Sequence, residues 1–511
     1  MTTLGRPGVY ISETLTPIAT TTTDNGIATP VFVGTATYGP SVPTYVTSWS
    51  QYSAAYNGFG DTTSFLPYAV YEFFANGGTG CYIVRAVATD AVAATLSLND
   101  SQSTPAPLIK FTAKSVGAYT NNIYITVNLN TTVGYFDLLV SVGTVSNIVD
   151  KFVAVTLNPT DPRYLLSIVN SPTNGSQTVS VAYTSTVTPW TTAQTPASQN
   201  GTPLTTGADG TSSTINLVTA TETLATVPGI LLVNLPGISS PTTLNPLLTW
   251  AAAQGDVFMV IDGPQASSTY SATVTADLQL SPTTTSGTTL STSSYGAVYV
   301  PWLICNDPSS LATGAVRTLP PGGAVLGQYM VNDATSGPYQ SPAGTNTALV
   351  GVVGTDITYQ NADLDTLNTA GINVIRAIPG YGLCIVGART LAYGMPSRYI
   401  AIRRNLMYIE NLMTRAVQFA LFQPNSSVLW SKITSILTQS LTGLMQSGYL
   451  GATNAAQAFY VTCDATNNST ATMQNGQVNI TIGVALAAPA EYIVIDIGLF
   501  DSTTSVSSSL T

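Results

Sequence analysis

Two rhythms of apolar and polar positions divide this chain. Over the first 90 residues they predict mixed α/β structure. PGVYISET at 7–14 is a short extended run with nothing helical after it, and 29–36 reads as a strand. A helix is expected over 64–75, with Ser64 as its N-cap, Pro67 in its first turn and Asn76-Gly77 as its stop. The β-branched run at 81–88 predicts a buried strand. From 91 to 215 the texture changes. NIYITVNLN at 122–130 alternates cleanly, further strand-like runs follow at short intervals, and no 3.6-residue period emerges. This stretch predicts a β-rich module inserted into the α/β body, ending in a Thr/Ser/Gly/Pro loop at 183–214.

The α/β pattern resumes with a strand at 229–237, a helix at 245–254 and a strand at 257–262, an order that predicts a parallel pair. A second Ser/Thr-rich insertion is expected at 265–294. The strongest helical pattern lies near the C-terminus. Leu406, Ile409, Leu412 or Met413, Ala416 or Val417, and Ala420 form an apolar stripe, with Arg404, Asn411, Arg415 and Gln418 on another face. A second helix begins after Pro424, capped by Asn425 or Ser426, and Gly448 ends it. Three strand-like runs follow, the last at 491–500.

Composition sharpens this picture. Of 511 residues 44% are hydrophobic, enough for large cores, but only 7% are charged. A surface so poor in charge has little repulsion to keep copies apart. The formal net charge of −10 argues against general nucleic-acid binding. Its distribution is uneven: 376–432 holds seven of the 14 cations and one of the 24 acids, so that stretch carries +6 and the remainder −16. It reads either as an internally paired or solvated helix face, or as a contact surface for an acidic partner. The N-terminal stretch lacks the apolar region of a secretion signal, and no apolar run approaches the ~18 residues of a membrane span.

Candidate chemistry is thin. With no histidine in the chain, Ser-His-Asp and Cys-His nucleophiles and the usual zinc sites are excluded. No Gly-Lys dipeptide supports a phosphate loop, and no G-x-G-x-x-G follows a strand. The four cysteines are isolated and read as buried thiols. Asp262, ending a strand, stands where α/β enzymes often place an acid, but before Gly263-Pro264 it reads first as a turn cap. No catalytic, metal or cofactor site is expected. A Thr-rich secreted surface protein and a carboxylate-dependent glycan enzyme are the rival classes.

Several motifs, in order along the chain, resemble the tail sheath family of contractile phages and phage-like injection particles. They are PGVYISE at 7–13, NGGTGCYIVR at 76–85, AKSVGAYTNNIYITV at 113–127, YGAVYVPWLICNDP at 295–308, LPPGGAVLGQYMVND at 319–333, GINVIRAIPGYGLCIVGARTL at 371–391, YIAIRRNLMYIE at 399–410 and PAEYIVIDI at 489–497. Asn121 stands where the family usually has Gly, and Gln328, Met330 and Val331 also depart from its pattern. The resemblance implies an α/β (α+β) sheath core built from N- and C-terminal segments, an inserted β-rich outer domain and extended terminal arms. The corresponding division is an arm at 1–20, core at 21–90, inserted domain at 91–215, core at 216–350, a C-terminal sheath domain at 351–488 and a second arm at 489–511. It further implies a non-enzymatic subunit, assembled in a host cytoplasm into a virion tail, that polymerises with itself as stacked hexameric rings. Its other partners would be the tail tube, baseplate and tail terminator proteins, with no nucleic acid, membrane span or cofactor. Arm strands at Val9, Tyr10 and Ile11 and at Tyr492, Val494 and Ile495 would cross to neighbours, unless each is an ordinary strand of its own fold. The basic stretch would face the tube through Arg404 and Arg415, ahead of Arg403 and Lys432.

Overall fold

The computed structural model describes residues 28–61, 63–101, 104–171, 174–184, 195–211, 215–284, 287–310, 312–489 and 491. The expected arm residues Val9, Tyr10, Ile11, Tyr492, Val494 and Ile495 lie outside them. The chain begins with β1 (Thr29–Thr35), β2 (Thr44–Val46), α1 (Trp49–Tyr56), α2 (Leu66–Ala75) and β3 (Cys81–Ala86). Strands β4 (Thr95–Asn99), β5 (Pro107–Ala113), β6 (Ile123–Leu129), β7 (Tyr135–Val142) and β8 (Ile148–Thr156) follow. After the short α3 (Leu165–Val169) come β9 (Val179–Tyr183) and β10 (Gln199–Pro203). The α/β alternation then runs through α4 (Leu217–Glu222), β11 (Leu231–Asn234), α5 (Pro241–Gln254), β12 (Val257–Asp262), α6 (Tyr270–Gln279) and β13 (Gly296–Val300). It continues with β14 (Leu303–Asn306), β15 (Val316–Leu319), α7 (Gly322–Thr335), β16 (Val352–Thr355), α8 (Asn361–Thr369), β17 (Ile372–Ile378) and β18 (Gly382–Val386). The last part holds α9 (Ile400–Val417), α10 (Ser427–Gln446), β19 (Phe459–Thr462) and β20 (Thr481–Val484).

An eight-stranded sheet, in the order β18-β17-β13-β12-β11-β1-β3-β2, forms the body. Its six inner strands are parallel and both edge strands antiparallel. Each inner strand is buried on both faces, which is why these runs are nearly all Val, Ile, Leu and Phe. Alternation sorts their side chains into two cores. Phe32, Phe258 and Tyr299 pack under α1, α2 and α7, while Val31, Val33, Met259 and Val298 pack under α5, α6 and α8.

The stretch 265–294, expected as an insertion, supplies α6, whose Val274 and Asp277 are buried against the sheet side of the helix layer. Its Thr-rich composition concealed an ordinary crossover: the Thr273 hydroxyl bonds back to the carbonyl of Thr269.

Strands β4 to β10 form two separate sheets, β10-β6-β7-β8 and β4-β5-β9, around one core that includes Phe111, Ile125, Phe136 and Val179. The chain enters and leaves this unit side by side, through bridges Ala88 to Ile215 and Val92 to Ala208. Arg85, at the end of β3 and 3% exposed, fastens the junction. Its guanidinium donates to the carbonyls of Ala36 at 2.5 Å, Gly39 at 3.2 Å and Val116 at 2.9 Å, and reaches Asp209 at 3.4 Å. At the C-terminal end, α9 and α10 pack together over the two-stranded β19–β20 sheet around Ile433, Leu437 and Leu441.

Candidate functional site: a closed sheet crevice and exposed contact surfaces

In a doubly wound sheet the crevice for a ligand lies at the carboxyl ends of the strands where the winding reverses. Here that reversal falls between β1 and β11, and the crevice is filled by protein. Asp262 is fully buried; it accepts from the amide of Gly322 at 2.7 Å, the amide of Gly237 at 2.9 Å and Asn234 Nδ2 at 3.2 Å. It therefore caps the first turn of α7 and a neighbouring loop, rather than the Gly263-Pro264 turn expected from sequence. A Cβ on Gly322 would stand 2.2 Å from Asn234 Nδ2, so helix and strand ends touch with no room between them. Burial pushes the Asp262 carboxyl up to about 6, against the pull of those donors. Among the described residues no group of three or more Cys, Asp or Glu could hold a metal ion.

The basic stretch separates into buried and exposed members. Arg404 is not on an outer face. It is 3% exposed, forms a two-pronged ion pair with the fully buried carboxylate of Asp333 (Nη1 to Oδ1 3.0 Å, and Nη2 to Oδ2), and lies 4.8 Å from the ring centre of Tyr329. The Tyr329 hydroxyl in turn meets that of Tyr299 at 2.6 Å. Arg403 is 9% exposed and stacks 4.5 Å over Tyr295. Both were expected to face a tube; the first half of α9 instead packs on all sides, against α7 and the sheet, so neither guanidinium reaches a surface. Asp333, the single charged residue of α7, was the signal that could have revealed the pair. Arg415 and Lys432 are exposed, Lys432 sitting 4.7 Å over Phe419.

Two other surfaces stand out. Arg389 holds Glu491, the last described residue, with Nε to Oε1 at 3.0 Å and Nη2 to Oε2 at 2.5 Å, while its Nη1 donates to the Asn368 carbonyl at 2.7 Å. The root of the C-terminal segment is thereby pinned beside a groove of about 570 Å³ lined in part by Leu364, Val374, Arg376 and Val386. The β19–β20 sheet has no further strand on either edge among the described residues. No described helix is long and apolar enough to cross a membrane.

Solved contractile sheaths match the chain almost end to end. The PVC sheath of an extracellular contractile injection system, in its contracted state, is 19% identical, the match covering 98% of each chain with a TM-score of 0.57. The contracted helical sheath of the anti-feeding prophage is 20% identical over 97% of this chain and 99% of that one, with a TM-score of 0.55. The sheath tail protein of Listeria innocua is 14% identical over 90% of this chain and 96% of that one, at a TM-score of 0.58. No protein-family profile matches the chain, and no curated protein matches it in sequence. The likeness is one of fold, and it extends over the inserted β unit as well as the body.

Proposed function

We propose that this chain is the structural subunit of a contractile sheath, polymerising as stacked hexameric rings around a tail tube and contracting to drive that tube through a host envelope. The observation that carries the reading is the near-complete, two-way coverage of sheath subunits that themselves come from contracted assemblies. The filled crevice around Asp262 supports a non-enzymatic role. Because one of the matches is the sheath of an extracellular contractile injection system, the same role in a phage-like particle is the companion reading. Its partners would be further copies of itself, the tube, the baseplate and the tail terminator.

Terminal arms at 1–20 and 489–511 would link subunits by strand exchange. A two-stranded sheet alone is marginal in water, so the bare edges of β19–β20 suit the receipt of strands from neighbours. Arg389, by holding Glu491, would set where the C-terminal arm departs. With Arg403 and Arg404 buried, Arg415 and Lys432 are the remaining candidates for contact with an acidic surface in the particle, the tube being the expected one. Contraction would run from a metastable to a more deeply packed lattice, needing no nucleotide. Negative-stain microscopy of the purified chain tests the reading: tubes of sheath diameter are expected. A chain that stays monomeric at every concentration and ionic strength refutes it.

A further inference from the structure

Helix α6 hides a carboxyl group where nothing positive faces it. Asp277 is fully buried, a state that acids rarely reach without a cationic partner. None is at hand: residues 164–375 include a single Lys or Arg, Arg317, which pairs with Asp307 at 3.8 Å. That interval supplies α4, α5, α6 and α8, the helices that pack on this face of the sheet. Arg389 reaches the end of α8 at the Asn368 carbonyl, but Glu491 engages it. The charged groups that α8 and the segment before it bring to α6 are acids. They are Asp356, Asp363, which accepts from the Tyr270 hydroxyl, and Asp365, in the cleft wall beside Leu278. From the sheet, β13 adds Val298 and Val300 to the same apolar core.

Three side-chain bonds moor α6 to the stretch 359–370. The Tyr359 hydroxyl donates to Asp277 Oδ2 at 2.7 Å, Tyr270 donates to Asp363, and the Ser281 hydroxyl donates to the Ala370 carbonyl at 2.7 Å. The Asp277 bond alone is both buried and ionisable. Asp277 Oδ1 has no partner among the described residues, and neither has Asp356 Oδ1. A neutral Asp277 keeps the Tyr359 bond at little cost. An ionised one leaves a bare negative charge in an apolar layer, beside further acids.

We infer that α6 is a proton-dependent clasp, docked on α8 while Asp277 is neutral and released as a local unit when Asp277 ionises. The clasp works within one subunit and does not rest on the sheath reading. Burial raises the Asp277 carboxyl from its ordinary 3.8 to about 7; the Tyr359 bond holds it back in part and the Asp356 charge pushes it further. The closed state therefore binds more protons than the open one between those values. The clasp is strongest below pH ~4, weakens as pH rises through ~7, and weakens no further above that. Release uncovers apolar surface of the core that Val274 shares with Leu367 and Ala370.

Hydrogen exchange of the full, unassembled chain, expressed as protection factors, reads the opening of α6 directly. Protection over 273–280 should fall on the order of a hundredfold between pH 5 and pH 8 and level off above. Protection over 244–251 in α5, a helix without an acid, should hold within about threefold. In Asp277→Asn, which still offers Tyr359 an acceptor but cannot ionise, the fall at α6 should shrink to that of α5. Flat protection of α6 in the parent, an equal fall in the asparagine variant, or α5 opening together with α6 overturns the inference. Continued loss of α6 protection above pH 8, with no plateau, overturns it from the parent chain alone.

Discussion

At the scale of single residues, the buried charges are the most exacting feature. Arg404 and Asp333 satisfy each other deep between α7 and α9, so removing one strands the other. Arg404→Met should destabilise the fold by about 3–5 kcal/mol, read from urea denaturation, whereas Arg415→Met should change it by less than about 0.5 kcal/mol. Equal effects would contradict the placement of Arg404. Glu72, 3% exposed on α2, titrates at about 7 because burial penalises its charge, a hydrogen bond with Cys305 only partly offsetting this. Its folded value lies above its ordinary 4.5, so between those values the folded chain binds more protons than the unfolded one. Its contribution is therefore fully present below pH ~4 and lost as pH rises through ~7. Relative to the parent, Glu72→Gln, which cannot ionise, should gain on the order of 3 kcal/mol between pH 4 and pH 8. Denaturation at the two pH values checks this; a pH-independent difference would contradict it.

At the scale of elements, deletion of residues 1–20 should leave the sheet and its helices folded, since the described body closes without them, yet abolish tube formation. Circular dichroism and electron microscopy of the truncated chain measure the two halves of that statement. Normal tubes would contradict the arm proposal. Much of the element pattern was legible in the sequence. The strand over 257–262 and the helix stop after residue 75 appear in place, and Ser426 caps α10 through the Leu429 amide at 3.5 Å. Its rival Asn425 instead accepts from the indole of Trp430 at 2.8 Å. At α2 the Ser64 hydroxyl does accept the Leu66 amide at 3.1 Å, but Phe65 occupies the cap position. What escaped sequence reasoning depends on tertiary partners. Nothing local distinguishes Arg404, buried against a carboxylate 71 positions earlier, from Arg415, exposed on the same helix. A threonine-rich helix such as α6 also has too little hydrophobic contrast to announce itself.

At the scale of the whole molecule, the β unit is joined to the body through two adjacent chain segments, the hydrogen bonds of Arg85, the Ser41 amide donating to Ser115 Oγ at 3.3 Å and the Tyr38–Tyr119 ring pair. Replacing 89–214 with a short Gly/Ser linker should leave a body that folds and polymerises, because Ala88 and Ile215 are already neighbours. Arg85 would then lose Val116, Asp209 and the Tyr119 ring 5.1 Å from its guanidinium, keeping only the Ala36 and Gly39 carbonyls. The excised chain carrying Arg85→Met should accordingly melt higher than the excised chain that keeps Arg85; the reverse order would show that Ala36 and Gly39 alone satisfy it. The same insertion also governs the order in which the protein can be made. Strand β1 sits between β3 and β11, and β11 is synthesised nearly two hundred residues later. At ~5–20 residues per second, β1 waits roughly 10–40 s on the ribosome with one long edge bare. During that interval the β unit, all of whose strands are contiguous in the chain, can complete its own core. It is the first part of the chain whose core can close, while β1 still lacks its partner β11.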